Sequence, residues 1–267
     1  MTASKTYQDQ TGRAVCIPVQ PRRIISLVPS QTELLHYLGL EKETVGITKF
    51  CVHPADWFHE KTRVGGTKTV ATDRVEKLRP DLIIGNKEEN QKEQILALAR
   101  QYPVWLSEVK TLEDAYAMIA EIGTITGTEI KAEELVRELR KRFTELHKQI
   151  STDRPRKTVA YFIWQKPLMA AAQGTFINEM LQVGGLTNVF ADRGRYPEVT
   201  FAELRRHNPE VILLSSEPFP FRDKHIKEFA EICPRAAIRL VDGELFSWYG
   251  SRLLHTADYL AKLRESL

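Results

Sequence analysis

A cysteine and a histidine two positions apart, Cys51 and His53, form the tightest pair of soft metal ligands in this chain. A thiolate and an imidazole bind zinc or haem iron, but a metal site usually takes three or four ligands. The other histidines have the sequence surroundings of helix surfaces and helix ends, so we expect no complete metal site. Three interpretations of His53 stay open: an axial ligand to cobalt or iron, a polar contact to the rim of a bound molecule, or a structural residue before Pro54.

A polar loop follows the apolar run from Leu82 to Ile84, which is typical of a buried strand. Its residues are Lys87, Glu88, Glu89 and Asn90. These side chains either bind amide or carboxylate groups of a ligand or form a solvated loop, and both interpretations stay open.

The sequence patterns of common enzymes are missing. The chain has no G-x-S-x-G elbow, no P-loop and no H-E-x-x-H, and its Gly-Gly turns lack the third glycine of a dinucleotide fingerprint. We therefore expect a protein that is not an enzyme. A two-lobed α/β enzyme remains an alternative, which turnover of a bound compound would reveal.

One module occurs twice, at residues 64–85 and 183–214, and it determines the expected architecture. Each copy has a Gly-Gly turn, a short helix with an acidic residue in its first turn, a Pro-Asp or Pro-Glu break, and an apolar strand. Unbroken apolar runs of this kind are typical of parallel strands that are covered on both faces. The predicted fold class is α/β, with two Rossmann-like lobes that each contain a parallel sheet.

The first strong strand, Arg23 to Val28, leads into a helix. We expect this helix to begin with Ser30 as N-cap and Glu33 as its capping-box partner, and to stop at Gly39. The free amides at its start lie at the carboxyl edge of the sheet, where α/β proteins bind their ligands. Ligand contacts are therefore expected in the loops that follow strands.

A long helical run joins the lobes in this prediction. Apolar residues at spacings of three and four extend from Leu112 to about Ile150, and Gly123 and Gly127 loosen the pattern. The predicted domains are an N-terminal lobe at 1–127, a linking backbone helix at 128–154, and a C-terminal lobe at 155–267. A helix of about 22 residues spans roughly 33 Å and resists bending, so we expect lobe closure to be small.

Charge and cysteine content narrow the class of protein. The 38 basic residues nearly balance the 35 acidic ones, which gives no field for binding nucleic acid. Three cysteines without C-x-x-C spacing define neither a disulfide framework nor a zinc knuckle. No apolar stretch approaches the ~20 residues that cross a bilayer, and the first residues lack the apolar core of a secretory signal. We expect a soluble monomer.

Together these segments resemble the helical-backbone periplasmic binding proteins, the substrate-binding components of ABC importers for vitamin B12, ferric siderophores and haem. The resemblance covers about residues 15–265 and is greatest for the cobalamin-binding branch. It is carried by residues 22–39, both copies of the module, the joining helix, and residues 174–185 and 209–213. It implies an ABC permease as membrane partner and a transiently held cobalt or iron complex, with no permanently bound cofactor.

In such proteins the ligand lies flat in the cleft between the lobes, against aromatic faces and a few polar groups. The resemblance assigns these contacts to strand-end loops, at Phe50, Trp164, Tyr196, Glu244 and Trp248. With His53 and Lys87, these residues form the predicted ligand-binding set.

Aromatic rings at loop tips suit a broad, planar, partly apolar ligand, because a ring face buries apolar area at about 25 cal/mol per Å². An isolated aromatic is more often a core residue, so a core role for Trp164 or Trp248 stays open. The chain also departs from the cobalamin-binding branch. Thr67-Lys68 replaces a tryptophan in the first Gly-Gly loop, and Trp248 replaces an arginine.

One carboxylate on each lobe of the importing relatives docks onto permease arginines, and the matching residues here are Asp73 and Glu203. Both stand in the first turn of predicted helices, where an acidic side chain is also favourable with the helix dipole. Docking and helix stabilisation therefore both stay open for the two residues.

The location of the protein has three interpretations, because an importer receptor works outside the cytoplasmic membrane and this chain starts without a leader. In the first interpretation, a leader was removed before this sequence begins. In the second, the protein uses an unrecognised export route or its start codon is wrongly assigned. In the third, it is a cytosolic cofactor-binding protein that has kept the fold. The first two predict a periplasmic or cell-surface location, and the third predicts a cytoplasmic one.

Overall fold

The computed structural model describes residues 3–150 and 155–267, so the end of the predicted linking helix, 151–154, lies outside the described residues. The described chain divides into two compact units. Unit 1 contains residues 3–109, Glu113–Glu138 and Tyr249–Arg252. Unit 2 contains Lys110–Leu112, the described part of Leu139–Trp248, and Leu253–Leu267. Each unit contains a largely parallel sheet and helices, which confirms the predicted α/β class.

An antiparallel hairpin begins unit 1. Its strands are β1 (Ser4–Gln8) and β2 (Ala14–Pro18). In the turn between them, the buried Asp9 carboxylate accepts the backbone N–H groups of Thr11 and Arg13. The Arg13 guanidinium also forms an ion pair of 2.7 Å with Asp9. This hairpin was not among the predicted elements.

A five-stranded parallel sheet forms the centre of unit 1. Its strands are β3 (Ile24–Ser26), β4 (Thr44–Ile47), β5 (Thr62–Arg63), β6 (Leu82–Asn86) and β7 (Val104–Ser107). They lie in the order β5-β4-β3-β6-β7, with Ile24 of β3 paired to Leu82 of β6. Every residue of β3 and β6 is buried, as expected for parallel strands covered on both faces.

The first helices belong to unit 1. They are α1 (Pro29–Leu38), α2 (Ala55–Glu60), α3 (Thr72–Leu78) and α4 (Lys92–Ala99). Because α1 starts at Pro29 with Val28 in the cap position, the prediction of Ser30 as N-cap is wrong. Proline suits the first turn, since the N–H that it lacks would have no partner inside the helix. The predicted stop is confirmed, because Gly39 has a φ of 84° and its N–H donates to the His36 carbonyl.

The predicted helical run consists of two helices, α5 (Leu112–Thr126) and α6 (Glu129–Ile150). Gly127 separates them with a φ of +73°, a conformation that glycine adopts without strain. Gly123 permits close packing of the two helices, because a Cβ there would collide with the Cβ of Ala132. The division between the units falls inside α6, after Glu138. The predicted domain boundaries after residues 127 and 154 stay predictions.

Unit 2 is built on a second sheet. Its strands are β8 (Lys157–Trp164), β9 (Met169–Ala170), β10 (Leu186–Asn188), β11 (Val211–Ser215) and β12 (Ala237–Val241). The parallel strands lie in the order β10-β8-β11-β12, and β9 pairs antiparallel with β8. Every residue of β11 is buried, so the second apolar run of the module also predicted a central strand.

The remaining helices lie in unit 2. They are α7 (Phe176–Val183), α8 (Phe201–His207), α9 (Asp223–Ile232), α10 (Glu244–Ser247) and α11 (Leu253–Glu265). Thr175 caps α7, because its Oγ1 accepts the Asn178 N–H at 3.2 Å. Phe229 of α9 and Phe162 of β8 are fully buried, and their ring centroids lie 5.0 Å apart. An aromatic core thus supports the strand ends of this unit.

Candidate functional site

The loop after β4 presents an aromatic ring at the carboxyl edge of the sheet in unit 1. Phe50 is 50% exposed, and the Lys49 ammonium lies 5.1 Å from its ring centroid. The Gly65-Gly66 turn leaves room for this ring, because a Cβ on Gly66 would lie 3.1 Å from Cε2 of Phe50. The predicted contact Phe50 is therefore an open aromatic surface.

Cys51 belongs to the interior of unit 1. It is fully buried, and its Sγ lies 3.1 Å from the hydroxyl oxygens of both Thr32 and Thr48. Burial raises the pKa of the Cys51 thiol, which favours the neutral form over the metal-binding thiolate. His53 is half-buried. Among residues 3–150 and 155–267, no group of three His, Cys, Asp or Glu side chains could hold a metal ion.

A buried polar network shapes the loop after β6. The Asn86 side chain donates to Oγ of Ser107 at 2.9 Å, and its Oδ1 accepts the backbone N–H groups of Glu88 and Glu89. Asn90, one of the predicted polar contacts, is buried and donates to the Thr67 carbonyl at 3.0 Å. Asn90 is therefore a structural residue of this loop.

Lys87 lies exposed at the same edge. Its Nζ is 2.7 Å from Oε2 of Glu108, which follows β7. Such an exposed pair contributes little to stability. A ligand that binds Lys87 would compete with this weak pair.

A returning segment, Tyr249–Arg252, completes unit 1 beside α1. Arg252 forms an ion pair of 2.9 Å with Glu33, and Gly250, with a φ of +109°, packs near Leu34. Tyr249 is buried, which raises the pKa of its hydroxyl. The predicted capping partner Glu33 therefore anchors this segment.

Two aromatic rings lie side by side at the carboxyl edge of the sheet in unit 2. Trp164 ends β8, is 38% exposed, and donates its indole N–H to the Lys166 carbonyl at 2.9 Å. Its ring centroid lies 5.7 Å from that of Phe219, whose backbone N–H donates to the Ile163 carbonyl. Phe219 was not predicted, although it stands in the loop that follows the buried strand β11.

Trp248 is largely enclosed within unit 2. It is only 7% exposed, and its indole N–H donates to Oε1 of Glu217 at 3.0 Å. Glu244, half-buried, begins α10, and its backbone N–H donates to Oδ1 of Asp242. Tyr196 is half-buried next to Arg195, whose backbone pairs with that of Gln173. Of these three predicted contacts, Glu244 and Tyr196 are thus half-buried, whereas Trp248 is almost fully buried.

The two predicted docking carboxylates have different surroundings. Asp73 is exposed in the first turn of α3. Glu203 forms a capping box with Thr200 at the start of α8 and an ion pair with Arg193. The pKa of Glu203 is lowered to about 2, mainly by the hydrogen bond from the Thr200 backbone N–H and next by that from Arg193. Glu203 therefore serves the helix terminus, one of the two interpretations left open above.

Each unit thus carries exposed aromatic surface where its parallel strands end, which is an arrangement of proteins that bind a small molecule. The profile of the periplasmic binding proteins matches residues 24–231, so the chain belongs to the periplasmic binding protein family. The predicted resemblance is confirmed, and the expectation of a binding protein rather than an enzyme is confirmed with it.

Similar proteins come from several bacteria. The chain is 27% identical over 214 residues to a vitamin B12-binding protein of Vibrio cholerae, covering 79% of this chain and 76% of the relative. It is 26% identical over 266 residues to the ABC transporter substrate-binding lipoprotein YvrC of Bacillus subtilis, covering 96% and 84%.

Solved structures share the fold. The periplasmic vitamin B12 binding protein BtuF of Vibrio cholerae superposes with a TM-score of 0.79 at 22% identity, covering 94% of this chain and all of that one. The periplasmic heme-binding protein RhuT of Roseiflexus sp. RS-1 gives 0.80 at 18% identity, covering 92% and 98%.

Proposed function

We propose that this protein is the substrate-binding component of an ABC importer and carries a metal complex, with cobalamin as the first candidate and haem or a ferric siderophore as the others. The observation that carries the proposal is the exposed ring of Trp164, flanked by the half-buried Phe219, at the sheet edge of unit 2, with the exposed Phe50 at that of unit 1. The names of relatives that bind vitamin B12 support cobalamin. The ligand is cargo, so no permanently bound cofactor is needed.

The proposed contacts follow from exposure and chemistry. Ring faces bind a macrocycle through apolar burial, and aromatic pairs contribute about 0.5–1.5 kcal/mol beyond it. The proposed residues are Phe50, His53 and Lys87 of unit 1 and Trp164, Tyr196 and Glu244 of unit 2. Trp248, being enclosed, acts through Glu217 in this proposal rather than through its own ring face.

Titration of the purified protein with cyanocobalamin, dicyanocobinamide, haemin and ferric hydroxamate tests the proposal. We expect at least one complex to quench tryptophan fluorescence saturably, with a Kd of about 1 μM or below, typical of a specific site. Visible absorbance in the same titration reports on His53. A change in the metal bands that His53→Ala abolishes supports axial ligation. Unchanged bands with weaker binding in His53→Ala support a rim contact, and unchanged bands with unchanged affinity support a structural role. Failure of all four complexes to quench would contradict the proposal.

An ABC permease is the proposed membrane partner, and the protein is proposed to work outside the cytoplasmic membrane. The relatives include a lipoprotein and proteins named as periplasmic. The described parts of the chain contain no helix with the length and apolar character needed to cross a bilayer. None of the relatives described above supports the cytosolic cofactor-binding alternative.

Asp73 offers the cleaner test of docking, because it lies exposed while Glu203 also caps α8. We expect Asp73→Lys to lower ligand uptake by cells or ligand-dependent ATPase activity of the cognate permease by about tenfold. Surface charges of this kind act mainly on the rate at which the protein associates with the permease. Because salt screens them, the loss of uptake should be smaller at high salt concentration. Ligand affinity in solution should not change.

Glu76→Lys, on the same helix, is the matched control for Asp73→Lys, because it makes the same change of charge. Equal uptake by Asp73→Lys and the unmodified protein would argue against docking through this carboxylate.

A further inference from the structure

The loop between β11 and α9, residues 216–222, carries a carboxylate that neither the sequence pattern nor the comparisons assign to a role. Glu217 stands two positions before Phe219, so it shares a short loop with the ring that flanks Trp164. The backbone bond from Phe219 to Ile163 fixes this loop against the end of β8. Glu217 therefore lies in the loop that forms part of the proposed ligand-binding edge.

Two neutral donors hold the Glu217 carboxylate. Ser247 Oγ donates to Oε1 at 2.8 Å, and the Trp248 indole N–H donates to the same oxygen at 3.0 Å. Within the described residues the second oxygen, Oε2, receives no hydrogen bond. A carboxylate that is oriented through one oxygen keeps the lone pairs of the other for a further donor.

Close packing also restricts Glu217. A Cβ on Gly243 would lie 2.6 Å from Cγ of Glu217 and 3.1 Å from its backbone nitrogen. The backbone before α10 therefore approaches Glu217 as closely as glycine alone permits. A side chain held on two sides loses little entropy when a ligand binds, which makes its contacts more effective.

The charged surroundings of Glu217 are acidic. Burial raises the pKa of its carboxyl, and Glu244 of α10 and Asp242 at the end of β12 raise it further. From β8, the neutral Tyr161 faces the same region, and burial raises the pKa of its hydroxyl further. Additional negative charge at this position would therefore be unfavourable, whereas a hydrogen-bond donor would be favourable.

We propose that Glu217 determines ligand specificity by accepting hydrogen bonds from donor groups on the ligand rim, so that the site selects carboxamide-bearing corrinoids over carboxylate-bearing porphyrins. The inference rests on the proposed function and names the ligand class within it. A corrin periphery bears neutral amides, whose N–H groups suit an acceptor-only carboxylate. The propionates of haem would bring like charge beside Glu217, which costs affinity.

Titrations with dicyanocobinamide and haemin at pH 7 test this inference in the unmodified protein and in Glu217→Gln. Each titration is followed by isothermal calorimetry, because Glu217→Gln changes the surroundings of Trp248 and could alter the tryptophan fluorescence itself. We expect the unmodified protein to bind dicyanocobinamide at least tenfold more tightly than haemin. In Glu217→Gln this preference should fall about tenfold or more, because the amide neither repels a carboxylate nor accepts as strongly.

Three further variants test whether the preference depends on the Glu217 carboxylate itself, on the net charge of the protein, or on the position of the carboxylate. Glu231→Gln, on the exposed part of α9, removes the same charge and should keep the preference. Gly243→Ala retains the carboxylate but displaces it, and should lower the preference as Glu217→Gln does. Glu217→Asp keeps the charge on a shorter side chain, so its preference for dicyanocobinamide should lie between those of the unmodified protein and Glu217→Gln. It replaces Glu217→Gln if that variant does not fold.

The outcomes distinguish the inference from the proposed function. An unchanged preference in folded Glu217→Gln or, in its place, Glu217→Asp overturns the role of Glu217 and leaves the binding function intact. A haemin preference in the unmodified protein overturns it as well. If the unmodified protein binds none of the four complexes, including both probes, the proposed function and this inference both fail. If it binds ferric hydroxamate alone, only this inference fails.

Discussion

Replacing Trp164 with alanine is expected to weaken ligand binding by about 10- to 100-fold, which corresponds to about 1.4–2.8 kcal/mol. Trp164 ends β8 with 38% of its surface exposed and lies beside Phe219, so part of this side chain is available to a ligand. Removing it should cost stacking and apolar burial without opening a cavity in the core. Calorimetric titration with the tightest-binding complex of the panel measures the loss.

Leu240→Ala is the matched control for Trp164→Ala. Leu240 is 39% exposed and lies on β12, two strands from β8 in the sheet, so its truncation removes exposed apolar surface from the same unit without touching Trp164. We expect it to leave the Kd within about twofold. An unchanged Kd in Trp164→Ala, or an equal loss in both variants, would show that the Trp164 ring does not bind the ligand.

Phe229→Ala is expected to lower the free energy of unfolding by about 3–5 kcal/mol, the usual cost of truncating a large buried ring. Phe229 is fully buried, and its centroid lies 5.0 Å from Phe162, 5.5 Å from Phe201 and 6.2 Å from Phe221. Its removal would leave a cavity below the loop that carries Phe219. Urea denaturation followed by far-ultraviolet circular dichroism measures the change.

The same Leu240→Ala variant serves as the surface control in denaturation, with an expected change within about 0.5 kcal/mol. A loss of less than about 1 kcal/mol in Phe229→Ala would mean that the cluster around this ring does not form a tight core.

The sheets could be predicted from sequence because burial on both faces leaves a direct mark. The runs Leu82–Ile84 and Val211–Leu214 are short, apolar and unbroken, and they became central strands of the two units. Turn glycines were equally informative at Gly39, where a left-handed residue ends α1. At the start of α1 two local signals competed, and Pro29 in the first turn prevailed over Ser30 as a cap.

The hairpin β1–β2 was missed because its evidence is spread over distant residues. Its turn depends on the buried Asp9 carboxylate, whose neighbours include the β7 backbone at Leu106 as well as Arg13. Neither strand has the unbroken apolar run that marks the central strands. Short-range patterns cannot show such a contact.

The candidate site was predictable in part. Phe50 lies in the loop after β4, Trp164 is the last residue of β8, and both are exposed, as their positions suggested. Trp248 was also expected at a strand end, but it follows α10 and its ring is enclosed, because the direction of such a side chain depends on what packs around it. Glu217 escaped notice because its partners, Ser247 and Trp248, stand about thirty positions away in sequence.

Equilibrium dialysis of the purified protein against cyanocobalamin, dicyanocobinamide, haemin and ferric hydroxamate tests the central claim most directly. The proposed function predicts that one of these complexes is retained at about one molecule per chain, saturates at low micromolar concentration, and is recovered chemically unchanged. Retention of none of them, or recovery of an altered compound, would contradict a receptor that carries a metal complex.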